Sequence, residues 1–247
     1  MQNKENQNDL LIGRNAVTEA LKAGREIDTL FITRGNSNPA LLRIVSMAKE
    51  KGAVIKEADQ KKLDYMCSGG NHQGVCAFVA SHEYSTVDDI LDYAREKEEK
   101  PFVVICDEIE DPHNLGAIIR TAECAGAHGV IIPKRRSAAL SYAVGKTSAG
   151  ALEYMRVARV SNLAQTIDEL KGKGLWVYGA DMDGDDYKSV DVAESAALVI
   201  GSEGKGLGKL VRQKCDVIVS LPMKGKINSL NASVAAGILM YEIASKR

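Results

Sequence analysis

No two of the five cysteines are spaced CxxC: Cys67, Cys76, Cys106, Cys124 and Cys215 are scattered and odd in number. That argues against a disulfide framework and for reduced thiols in a cytosolic protein. Cys67, His72, Cys76 and His82 fall close together but match no zinc-ligand spacing, so no metal is expected. The sequence also lacks any apolar run near the ~20 residues that span a bilayer. Its polar start, MQNKENQNDLL, has no apolar signal core. The expectation is a cytoplasmic protein without membrane attachment. There is no internal repeat and no low-complexity tract.

An excess of charge is missing too. The 247 residues carry a net charge of −1. Residues 1–80 sum to +2, residues 81–100 to −4 and residues 101–247 to +1. No segment is globally basic, so any nucleic-acid site must be local. What is present is 45% hydrophobic and 26% charged residues, the balance of a globular protein with a sizeable core.

Periodicity divides the chain in three. Residues 9–81 read as a small α/β domain: GRNAVTEALKAG as a helix with Ala16, Val17, Ala20 and Leu21 on one face, then TLFIT as a strand. PALLRIVSMAKEKG follows as a helix, AVIKEA as a strand, DQKKLDYMC as a helix and GVCAFVA as a strand. Residues 82–100 read as an acidic helical linker. Residues 101–247 open with PFVVICDE, an unalternated apolar run typical of a strand buried on both faces. Strands VIIP, YMRVARV, LWVYGAD, ALVIGSE and VIVSLP then alternate with helices, which implies a mainly parallel sheet covered on both sides. The last helix, SLNASVAAGILMYEIASKR, is apolar nearly all round and is expected to be buried.

Ligands of such sheets bind beyond the carboxyl ends of the strands. DPHNLG, Lys134–Arg136, GKGLGK and MKGKINSLN all follow strands of this domain, so glycines, asparagines, serines and unpaired cations gather at one end. Known phosphate loops do not account for them. GKT at 145–147 would need a glycine where Leu140 stands. The 201–208 loop reaches Lys209 where GxGxxG requires its third glycine, which disfavours a dinucleotide enzyme. DMDGDD mimics a calcium loop but has Asp186 at the glycine position and Val192 at the glutamate position, and reads as a solvated acidic turn.

Three segments remain: DEIEDPHNLGAIIRTAE, LVIGSEGKGL and LPMKGKINSLNASVAAGILMYE. In this order and spacing they resemble the signature motifs of the SpoU/TrmH branch of the SPOUT methyltransferases, which methylate a ribose 2′-hydroxyl in RNA with S-adenosyl-L-methionine. The likeness covers nearly the whole chain. Residues 9–81, with GRNAV and HQGV, resemble the ribosomal-protein-like RNA substrate-binding domain of some members. The arrangement is closest to members that modify a guanosine in bacterial 23S rRNA. The resemblance implies a deep trefoil knot in the C-terminal domain, against ordinary topology rules, and a homodimer with the knot at its interface.

It also implies roles for individual residues. Gly201, Leu221, Met223 and Leu230 match the cofactor pocket, where glycine admits main-chain groups to an adenine edge and the leucines offer apolar faces. Arg120, Asn114, Glu203, Ser229 and Asn231 match the catalytic positions. Methyl transfer asks a poor nucleophile to become anionic, and a fixed guanidinium at Arg120 stabilises that charge or holds the adjacent phosphate. A guanidinium stays protonated under the conditions in which proteins work, so it is better suited to this than to acting as a base. Asn114 is expected to cap the helix carrying Arg120, Glu203 to orient that guanidinium, and Ser229 and Asn231 to begin the last helix. Lys134, Arg135, Arg136, Arg14, Asn15, His72 and Gln73 are the candidate RNA contacts. The rival readings are a transfer-RNA methyltransferase and a non-catalytic RNA-binding or ribosome-assembly protein of the same fold.

Overall fold

A computed structural model describes residues 10–35, 38–79 and 82–247. They form two compact units, one reaching Glu83 and including Ala139–Ala143, the other made of Tyr84–Ala138 and Val144–Arg247.

The first unit is a four-stranded sheet with helices. β1 (Leu10–Ile12), β2 (Ile27–Thr33), β3 (Val54–Ala58) and β4 (Val75–Val79) lie in the order β1-β4-β2-β3. β4 is antiparallel to both neighbours, and β2 and β3 are parallel. β1 is an addition to the expected elements: LLI is too short to show a period, and it exists by pairing with β4. Alternation along β2 sends Leu30 into a core with Val17 and Leu21 of α1 (Arg14–Lys22) and Leu41 and Ile44 of α2 (Pro39–Glu50). Phe31 turns to the other face, against Leu63 of α3 (Gln60–Met66), Cys67 and Cys76. Asn38 and Asp59 cap α2 and α3 by accepting backbone N–H bonds at 2.9 and 2.8 Å. Ala16, expected on the buried face of α1, is exposed.

The second unit is built on six parallel strands: β5 (Phe102–Cys106), β6 (Gly129–Pro133), β7 (Arg156–Val160), β8 (Trp176–Asp186), β9 (Ala196–Ile200) and β10 (Val217–Ser220). Their order is β10-β8-β9-β5-β6-β7. Every residue of β5 and β9 is buried, as their continuous apolar runs require. Val103, Ile105, Ile131 and Ala158 face a core shared with Leu163, Ile167 and Leu170 of α7 (Leu163–Gly172) and Val211 of α8 (Lys209–Lys214). α5 (Pro112–Cys124) lies on β6, α9 (Ala232–Lys246) lies on β9, and the two helices pack on each other. α6 (Tyr142–Thr147) is a short helix between β6 and β7.

Three expectations change. The acidic segment read as a linker forms α4 (Val87–Glu96), started by a Thr86–Asp89 capping box. Its Ile90 and Leu91 join the core of the second unit, so it is part of that unit rather than a free connector. The DMDGDD segment is not a solvated turn but the end of β8. β10 pairs Ile218 with Gly179 and Val219 with Asp185, so the intervening stretch of β8 bulges out of the ladder. And α9 is not buried all round: Ala236, Leu239, Met240 and Ile243 are buried, whereas Val234, Ile238 and Tyr241 form an exposed apolar stripe.

Candidate active site

The carboxyl ends of β5, β8, β9 and β10 lead into the loops that carry most of the unusual residues, all within the second unit. α5 starts at Asp111, whose side chain accepts the His113 N–H at 2.9 Å, with Pro112 at the first helical position. Asp111, not Asn114, is therefore the cap. Asn114 lies in the first turn and is buried, and with the cap already made its amide is available for a contact across the site. Its Nδ2 donates to Glu203 Oε1 at 2.9 Å, and its Oδ1 accepts from Asn231 Nδ2 at 2.9 Å. Asn231 Nδ2 also donates to Glu203 Oε1 at 2.6 Å, while Asn231 Oδ1 caps α9 through the Ser233 and Val234 N–H groups. Three motifs thus meet in one triangle of hydrogen bonds. Glu203 Oε2 takes no part in it.

The loop from Gly201 to Gly208 is held shut by its own backbone. Ser202 and Gly206 exchange both N–H···O bonds, at 3.1 and 3.0 Å. A Cβ on Gly201 would fall 2.3 Å from the Gly206 carbonyl carbon, so only glycine permits the closure. At the loop's exit the Gly208 N–H donates to Asp107 Oδ2 at 2.7 Å. Burial pushes the Asp107 carboxyl above its ordinary range, and this hydrogen bond pulls against the shift.

Two cavities flank the loop. One, of about 210 Å³, is lined by Gly201, Leu221, Met223 and Leu230, the four residues expected there, and by Ser229, Asp181 and Met182. The other, of about 280 Å³, is lined by Glu108, Ile109, Glu110, Asp111 and Asn114. Ser202, Glu203 and Lys205 line both, so the Glu203 loop is their common wall. The first offers apolar faces, exposed main chain and two carboxylates, which suits an adenine ring and a cationic group on one ligand.

Arg120 does not join this group. It is exposed, borders neither cavity, and makes no hydrogen bond or ion pair with the described residues. Six residues along a helix turn about 240° past Asn114, so a helix aiming Asn114 at Glu203 aims Arg120 elsewhere. Glu203 is oriented by two amides and not by the guanidinium.

The candidate RNA contacts separate in the same way. In the first unit Arg14 Nε donates to Gln73 Oε1 at 3.4 Å, and Asn15 is exposed on the next position of α1. His72 is buried: Nδ1 accepts the Gly74 N–H at 3.0 Å and Nε2 lies 3.0 Å from Asp64 Oδ1. It braces the loop and has no face left for RNA. In the second unit Lys134 is half-buried, Arg135 is exposed, and Arg136 pairs with Glu108 Oε1 at 2.5 Å on the edge of the second cavity. The sequence reading missed Asp107, Asp181 and Lys205. Asp107 carried a signal, a carboxylate closing a fully apolar strand, and Asp181 was hidden inside the apparent calcium loop.

Residues 101–241 match the model of the SpoU rRNA methylase family, and residues 10–85 that of RNA 2′-O ribose methyltransferase substrate binding. The chain is 50% identical to the TrmH family tRNA/rRNA methyltransferase YacO of Bacillus subtilis, over 98% of this chain and 97% of that one. Among solved structures it is similar to an AdoMet-bound rRNA methyltransferase from Sinorhizobium meliloti, with TM-score 0.60, 26% identity and coverage of 96% and 86%. The A. aeolicus TrmH/SpoU tRNA modifying enzyme gives TM-score 0.55 and 26% identity, covering 65% of this chain and 83% of its own.

Proposed function

Because the chain belongs to the SpoU rRNA methylase family of RNA methyltransferases, we propose that it methylates the ribose 2′-hydroxyl of a guanosine in 23S ribosomal RNA, with S-adenosylmethionine as donor. The observation that carries this reading is the Asn114–Glu203–Asn231 triangle on the wall shared by two cavities. A donor on one side and an acceptor ribose on the other then meet at one carboxylate.

The donor supplies an electrophilic methyl group on a sulfonium. The chain supplies position and charge. Gly201, Leu221, Met223 and Leu230 hold the donor, with Ser229 beside it. Two amides fix Glu203 Oε1, and its free Oε2 accepts the hydrogen bond of the 2′-hydroxyl. That contact would orient the hydroxyl oxygen toward the donor cavity. When a bound donor supplies its methyl group to that oxygen, Glu203 Oε2 would take the hydroxyl proton along the same hydrogen bond. Arg120 enters from a second subunit. The exposed stripe of Val234, Ile238 and Tyr241 lies on α9, which packs on the helix bearing Arg120. A homodimer burying that stripe delivers Arg120 of one protomer to the site of its partner, where it stabilises the developing oxyanion. A knotted path, characteristic of the fold class, would bring the loops following β9 and β10 together around the donor.

Ribosomal RNA is favoured over transfer RNA by the first unit. The rRNA-named structure spans 96% of this chain, whereas the tRNA-modifying one spans 65%. Arg14, Asn15 and Gln73 of that unit, with Lys134 and Arg135 of the second, are the RNA contacts of this reading. Mapping 2′-O-methyl groups in total RNA from a deletion strain and its parent tests it. A single 23S guanosine should lose its methyl group; loss confined to transfer RNA would replace the substrate, and no loss would remove the activity.

A further inference from the structure

The bulge at the end of β8 puts a carboxylate where the donor reading leaves none assigned. Asp181 lines the cavity of Gly201 and Leu221, and its side chain is only 18% exposed. Arg212 of α8 holds it by a 2.7 Å contact from Nη1 to Oδ2, and Oδ1 accepts the Met182 N–H at 2.8 Å. On the loop side Oδ1 lies against Gly206, where a Cβ would stand 3.2 Å away. Gly206 has φ +65 and no side chain, so the loop comes up to the carboxylate without covering it with a side chain.

An ionised carboxylate accepts about four hydrogen bonds. Arg212 and Met182 take one each, which leaves acceptor capacity on a group already fixed in one orientation. Arg212 is shared with Asp183, 2.9 Å away, so the cluster of Asp181, Arg212 and Asp183 has a net negative charge. Asp183 is 73% exposed and does not line the cavity. If tethering α8 were the only task, that exposed partner would serve and a carboxylate inside the cavity would be superfluous.

We propose that Asp181 is a specificity-determining contact for the methyl donor, accepting hydrogen bonds from its ribose hydroxyls or its ammonium group. This rests on the reading of that cavity as the donor site. Arg212 is the positioning residue that keeps the carboxylate in place. The arrangement favours a ligand with hydrogen-bond donors and positive charge, and rejects one with a phosphate in the same place.

Isothermal titration of the full-length protein with S-adenosylhomocysteine and with 5′-methylthioadenosine, which lacks the amino-acid arm, tests the assignment. Asp181→Asn should weaken S-adenosylhomocysteine at least about tenfold, Arg212→Gln less, and Asp183→Asn not at all, with melting temperatures recorded for each. A parallel loss for 5′-methylthioadenosine identifies the ribose as the contact; a loss confined to S-adenosylhomocysteine identifies the ammonium. Unchanged affinity in Asp181→Asn overturns the proposal while wild-type binding keeps the donor site intact. Equal losses in Asp181→Asn and Arg212→Gln reduce Asp181 to a tether and overturn it too. A wild-type protein that binds neither compound removes the donor site itself, and the contact with it.

Discussion

Asn114 and Glu203, 89 positions apart in sequence, are joined by a 2.9 Å hydrogen bond from amide to carboxylate. The bond ties the first turn of α5 to the loop after β9. It also explains why a glycine-rich loop contains a carboxylate: the charge is held by two amides on a wall between cavities and binds no anion.

Asn114→Asp tests that relationship by charge. The donating NH₂ becomes an oxygen facing Glu203 Oε1, and two carboxylates in contact cannot both ionise at little cost. Turnover at neutral pH should fall about tenfold or more, with a lower melting temperature. Acidification should restore part of the activity, because the pair then shares a proton. Asn114→Ala should lose activity without that recovery. Parallel pH–rate profiles for the two variants would mean that the two side chains do not interact during turnover.

The fold was readable where one period governs a segment. β5 and β9 are buried on both faces and announce themselves as apolar runs; α1, α2 and α7 show a single apolar face. Reading failed where a neighbour decides the outcome. β1 has three residues and depends on β4. DMDGDD is mostly acidic, yet pairing with β10 and the grip of Arg212 make it strand and cavity wall. α9 looks buried because its composition is apolar, and composition does not say whether this chain or another covers Val234 and Ile238. Within the site, the motifs named the residues without their partners. Asn114 reads as a cap because it stands near the start of a helix, but Asp111, two residues after Ile109, occupies that position.

His72 and Arg14 separate folding from RNA affinity in the first unit. His72→Ala removes the acceptor of the buried Gly74 N–H, which costs about 1–3 kcal/mol of stability. The expected result is a lower melting temperature of that unit. Arg14→Ala should leave melting unchanged, raise the KM for RNA, and reduce the slope of log affinity against log salt by about 1. Neither change should alter donor affinity. Weaker RNA binding by His72→Ala at unchanged melting temperature would make the ring a contact after all.

Arg120→Ala should abolish methyl transfer while leaving S-adenosylhomocysteine binding and melting near wild type, since the exposed side chain makes no hydrogen bond or ion pair with the described residues. Complementation decides which chain it serves. Arg120→Ala and Glu203→Gln proteins, each inactive, are unfolded together and refolded as a statistical mixture. Half the dimers are then mixed, and each holds one site with an intact Glu203 and the partner's intact Arg120. About a quarter of wild-type activity should return if the site is built across a two-fold interface. A mixture as inactive as its components would place Arg120 in its own subunit's site.

Asp107 ties stability to pH. Its carboxyl is pushed up by burial, so the folded protein holds this proton more tightly than the unfolded chain does. Where the folded state binds more protons, stability falls as pH rises. The contribution of Asp107 is therefore full below the ordinary carboxylate range near 4 and is lost as pH rises through the raised folded value. Asp107→Asn keeps an oxygen for the Gly208 N–H and carries no charge, so it should flatten this part of the melting-temperature profile and match or exceed wild type at neutral pH. Asp107→Ala leaves that N–H without an acceptor, costs about 1–3 kcal/mol, and loosens the exit of the 201–208 loop. Its donor affinity should fall with its stability, whereas Asp107→Asn should keep both. Thermal melts from pH 4 to 8 with titrations at neutral pH read all of this. An unchanged profile in Asp107→Asn would show that the buried carboxylate is not the group linking protonation to the loop.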